Sequence, residues 1–107
     1  MLKLIVVVLA LFIFSSKTNA WSRYGGDISC GKLVLQSENK VFMWEARGWV
    51  FGYISGVNEM QEQTWKSPPD DQSIWLAVID YCKESPLDYL YEATVSIYSE
   101  IIEKDAD

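Results

Sequence analysis

The side chains able to do chemistry in this chain are few. Its two cysteines are Cys30 and Cys82, fifteen aspartates and glutamates outnumber nine lysines and arginines, and there is no histidine in the 107 residues. Without imidazole there can be no Ser–His or Cys–His pair and no histidine general base. Neither a Cys-x-x-Cys nor a glycine-rich phosphate loop is present. Two lone cysteines without histidine make a poor metal site, so no metal and no cofactor are expected. Asp70-Asp71 is the one adjacent carboxylate pair with acid–base potential. Acids just ahead of an apolar-periodic segment read better as a helix cap and as partners of its dipole. No catalytic residue is therefore expected, and the chain reads as a non-enzyme.

The cysteines make more sense once the leader is recognised. Lys3 supplies a short positive region, residues 4–14 are uniformly apolar, and Thr18-Asn19-Ala20 fits a small-x-small cleavage site ahead of Trp21. Eleven apolar residues fall short of the roughly 20 that span a bilayer. The expectation is a signal peptide at 1–20 and one exported, soluble domain at 21–107, with no membrane span after cleavage. In an exported chain an even pair of cysteines most simply forms one disulfide, here closing a loop of 52 residues. Lys3 and Lys17 leave with the leader, so seven cations face fifteen anions and the domain carries a net charge of −8. That surface repels nucleic acid and offers phosphates no basic patch.

The elements that must position these cysteines are helical. Residues 40–58 carry large apolar side chains at helical spacing (Phe42, Ala46, Trp49, Val50, Tyr53, Val57), and the rest of the domain is expected to cover them. Gly48, Gly52 and Gly56 stack four apart on the same helix. Each costs about 1 kcal/mol relative to alanine, so this helix-packing stripe implies close approach of another backbone, or else a flat groove for a partner. Residues 28–36 read as a short helix capped by Asp27, with a strand at 33–35 as the alternative. Asn58 is the expected stop of the central helix, and residues 59–71 form a loop with Pro68-Pro69. Trp65 within it is either a lid on the core or an exposed partner anchor. Residues 71–83 form a third helix with Ile74, Val78, Tyr81 and Cys82 inward. Ser85-Pro86-Leu87-Asp88 resembles a cap, first turn and capping box for a fourth helix reaching about Lys104, beyond which the last residues should fray. The expected fold is all-α: a small bundle of about four helices with one disulfide clamping its ends across the central helix.

Several motifs add to this. Cys30-Gly31-Lys32 opens the first helix, and Trp49, Gly52, Tyr53, Gly56 and Asn58 form a Trp-x-x-Gly-Tyr-x-x-Gly-x-Asn run. Tyr81-Cys82 and Pro86-Leu87 follow, with Glu92-Ala93 in the last helix. Over residues 28–101 the chain resembles the HdeA/HdeB-like exported bacterial proteins and, less closely, the Tai-type immunity proteins of type VI secretion, whose additional cysteines it lacks. The HdeA-like resemblance implies a periplasmic, disulfide-bonded helical protein, and for its characterised members a dimer near neutral pH that binds unfolding clients once acidified. Two roles follow as expectations: an acid-stress holdase for protein clients, or an immunity protein or inhibitor that docks on a basic partner. Trp21, Tyr24 and Trp65 are the candidate partner-binding residues, and a homodimer is expected if the glycine stripe or the Trp21/Tyr24 patch is left uncovered.

Overall fold

A computed structural model of the chain describes residues 25–62 and 65–106. The leader, Trp21 and Tyr24 lie outside the described residues. Among the described residues four helices follow in order: α1 (Cys30–Leu35), α2 (Lys40–Met60), α3 (Asp71–Glu84) and α4 (Leu90–Ala106). The described residues hold no strand, only an isolated antiparallel bridge between Ser29 and Tyr89, and Cys30 and Cys82 form the disulfide. The protein is an all-α bundle, as its periodicity predicts.

Helices α1, α2 and α3 each start where a short polar side chain meets a free amide. Ser29 Oγ accepts from the Lys32 amide at 3.2 Å, Asn39 Oδ1 from Phe42 at 3.1 Å and Asp70 Oδ1 from Ser73 at 2.7 Å. Ser29, not Asp27, therefore caps α1. The start of α4 differs most from expectation. Residues 85–88 are a turn, the Leu87 side chain is 94% exposed, and the helix begins at Leu90. The reason is a set of reciprocal bonds between two helix starts. The Cys30 and Gly31 amides donate to the Asp88 and Pro86 carbonyls at 2.8 and 2.9 Å, while the Leu90 and Tyr91 amides donate to the Ile28 and Gly26 carbonyls at 2.8 and 2.9 Å. A helix begun at Pro86 would claim those same carbonyls for its own amides, so the tertiary bonds displace the local capping box. Glu92 still reaches back to the Tyr89 amide at 3.3 Å.

The helix at the centre is α4. It packs against α1, α2 and α3, and buries Leu90, Ala93, Thr94, Ile97 and Tyr98. Among the described residues Thr94 is the one buried polar side chain, and its hydroxyl donates to the Leu90 carbonyl at 2.8 Å. α2 instead lies on one side, burying Ala46, Val50 and Ile54 and half-burying Phe42, Trp49, Tyr53 and Val57. It runs past Asn58 to Met60, and the left-handed residue that follows is Glu62. The disulfide joins α1 directly to α3 at their packed faces, both sulfurs fully buried, without straddling α2.

The glycines correct one inference. A Cβ added at Gly48, Gly52 or Gly56 would meet no described atom within 4 Å, and all three residues are exposed. The stripe packs against no backbone among the described residues. Close approach occurs at Gly25 and Gly26 instead, where an added Cβ would lie 2.5 Å from the Trp49 indole; Gly25 also has φ +84°. The stacked Trp49–Tyr53 pair, 5.5 Å between centroids, leaves that indole little room to move. Gly26→Ala is accordingly expected to destabilise the domain by about 1–3 kcal/mol. Gly52→Ala, on an open helix face, should stabilise it by about 0.5–1 kcal/mol. Urea unfolding of the two variants checks both signs. Reducing the disulfide should lower stability by about 4 kcal/mol, the cost of freeing a 52-residue loop, read as the difference between oxidised and reduced unfolding midpoints.

Candidate functional site

The loop between α2 and α3 is where side chains from distant parts of the sequence converge. From α2, Asn58 Oδ1 accepts the Trp65 indole N–H at 3.1 Å and the Tyr98 hydroxyl at 2.7 Å. Trp65 is half-buried against the core and lies 6.2 Å from the Tyr98 ring in a tilted arrangement. The structure thus packs Trp65 against the core with its indole N–H bonded. Burial also raises the Tyr98 hydroxyl above its ordinary pKa, which keeps it a donor at any physiological pH.

From α4, Asp105 holds the other side of the loop. Its carboxylate accepts the Lys66 amide at 3.0 and 3.1 Å and the Ser67 amide at 2.8 Å. These two amide bonds, in that order, pull the Asp105 pKa below the usual 3.8; burial opposes them, and the Lys66 charge adds the smallest pull. The C-terminal turn of α4 is therefore tied down where fraying was expected. Asp70 is lowered in the same way by its bonds to Ser73. Two further carboxylates tie elements together: Asp71 pairs with Arg47 of α2 at 2.9 Å, and Asp88 accepts the Tyr81 hydroxyl, which raises the tyrosine's pKa.

Beneath the latched loop, α3 and α4 leave a trough of about 600 Å³, within the roughly 300–1,000 Å³ of small-molecule sites. Its floor and wall are Ile74, Ala77, Ile97, Ile101, Pro68 and Pro69. Its polar lining residues belong to the loop, the first turn of α3 and the last turns of α4, and Lys66, Glu100, Lys104 and Asp105 are among them. Lys104 pairs with Glu100 at 3.2 Å.

Among the described residues no group of three or more Cys, Asp or Glu could hold a metal ion, and no helix is long and apolar enough to cross a membrane. No family model, curated protein or solved structure matches the chain, so the HdeA-like resemblance rests on its short motifs.

Of the residues singled out in the sequence, Cys30 and Cys82 are brought together. Trp65 joins a network with Asn58 and Tyr98, and the three stripe glycines stand apart from both on an open face that also carries Trp44, 73% exposed. Asn58, Asp105 and the trough were not legible beforehand. Asn58 reads as a helix stop and Asp105 as part of a fraying end, and only the fold shows that their oxygens face a loop. Asp105→Ala should release that loop, seen as loss of hydrogen-exchange protection at the Lys66 and Ser67 amides at neutral pH. In the unaltered chain the same protection should fade in acid. Asp105 has a depressed folded pKa, so its contribution is complete above about 4 and lost as pH falls through its lowered value.

Proposed function

We propose that the chain works by non-covalent binding, as an exported periplasmic holdase that keeps unfolding proteins soluble in acid, in the manner of the HdeA-like chaperones it resembles. The observation that carries this reading is the chemistry of the ties. The loop between α2 and α3, the start of α3, the Arg47 link between α2 and α3, and the turn before α4 are each fastened by a carboxylate: Asp105, Asp70, Asp71 and Asp88. The disulfide and the backbone bonds between the two helix starts do not titrate. For Asp70 and Asp105 the sign is explicit: both are depressed when folded, so the stability they lend is present above about pH 4 and lost below it. Acid also removes the negative charge of fifteen carboxylates while every lysine and arginine stays charged. The domain then loosens around a pH-insensitive staple, uncovering half-buried Trp49, Trp65 and Trp75 for clients.

A second reading is favoured by one folded-state feature. The open face of α2 presents Trp44 beside three glycines, an aromatic on a flat surface of the sort that docks a partner or a second copy. It suits an immunity protein or inhibitor working near neutral pH, and the uncovered stripe equally suits a homodimer.

Light scattering of an aggregating periplasmic extract, with and without the mature oxidised protein, separates the readings. The holdase should suppress aggregation at about pH 2.5 and not at pH 7, and its own size should change from a paired or compact species to a looser monomer. A compact species that suppresses nothing in acid would sink it and leave capture of a basic partner at pH 7 as the reading to pursue.

A further inference from the structure

We propose that the trough between α3 and α4 binds a single-chain amphiphile with an anionic head, in its simplest form a fatty acid carboxylate. This goes beyond the holdase reading and does not depend on it, because the site belongs to the folded protein near neutral pH.

Two features of the trough select this ligand. Its floor is aliphatic, and the two isoleucines that build its deeper part, Ile74 and Ile97, are members of the core that keep a small residual exposure. An alkyl chain laid there continues the core outward and removes that apolar surface from water. The polar lining residues belong to the loop, the first turn of α3 and the last turns of α4, and Lys66 and Lys104, two of the seven cations of the mature chain, are among them.

The charges of this lining are not equivalent. The Asp105 carboxylate is held by two backbone amides, and Lys104 is paired with Glu100. Among the described residues the Lys66 ammonium makes no salt bridge, although its charge acts on Asp105, whose oxygens are taken by amides; it is therefore the cation available to a ligand carboxylate. An alkyl chain on the isoleucines with its head at Lys66 satisfies both ends. A neutral apolar ligand would use only the floor.

The probes are decanoate below its micelle concentration and decanol as its uncharged counterpart, titrated into the mature oxidised protein at pH 7 and followed by amide resonance shifts. Decanoate should bind saturably, with shifts confined to residues 66–77 and 97–105. Ala77→Leu, a strong helix former that fills the floor, should abolish binding of both probes while the helical circular dichroism is retained. Lys66→Met should weaken decanoate by roughly two- to fivefold, the factor an exposed ion pair supplies, and leave decanol unchanged. Should Ala77→Leu unfold, the Lys66→Met comparison decides by itself. Absence of saturable binding, shifts centred on the open face of α2, or equal decanoate affinity with and without Lys66 would each overturn the proposal. So would a trough that ignores decanoate but is occupied by an apolar peptide, or closed by a second copy as protein concentration rises.

Discussion

Amide hydrogens at a helix start have no partner within their own helix, and in this chain two such starts face each other. Each supplies the other's missing acceptors: carbonyls of the turn before α4 take the first amides of α1, and carbonyls just before α1 take the first amides of α4. The arrangement works only if residues 26–31 and 86–91 lie antiparallel at backbone distance. The Cys30–Cys82 bond holds them so, because Cys30 opens α1 and Cys82 sits in the last turn of α3, just ahead of that turn. The rest of the bundle hangs from this junction. It fixes where α4 begins, which face of α4 turns inward, and hence which side chains α2 can cover.

The junction's own bonds, a disulfide and backbone hydrogen bonds, do not titrate, whereas the side-chain ties at Asp70, Asp71, Asp88 and Asp105 are carboxylates. Loop and turn contacts made by carboxylates surround a centre made of a disulfide, backbone hydrogen bonds and aliphatic packing. At neutral pH several of those charges are compensated locally by amides, a guanidinium or a hydroxyl, even though the surface as a whole repels itself. The trough lies at the boundary of the two zones, roofed by a carboxylate-tied loop and floored by the core.

Where sequence and structure differ, the differences share a cause. Ser85-Pro86-Leu87-Asp88 carries every local sign of a helix start, yet its carbonyls are taken by α1 and the helix opens at Leu90. The triple glycine stripe carries the sign of close packing, yet it faces outward, while the unremarked Gly25-Gly26 pair lies against Trp49. Asn58 reads as a helix stop and Asp105 as part of a fraying end, yet both act as acceptors for a loop. In each case a local preference worth at most a kcal/mol or so was outweighed or redirected by groups far away in the chain.

By itself the sequence determined the all-α class, the approximate extents of the helices, the inward faces of α3 and α4, the absence of histidine chemistry and the availability of one cysteine pair. These follow from periodicity, capping residues and composition, which act over a few residues or over the whole chain. Only the tertiary structure decided that α4 and not α2 is the central helix, that the two helix starts cap each other, and that Trp65 packs on the core beside Asn58 and Tyr98. It also decided that Lys66, Lys104 and four aliphatic side chains share one trough. Those outcomes depend on hydrogen bonds and contacts between residues tens of positions apart, and no pattern along the chain records which distant acceptor a free amide will find.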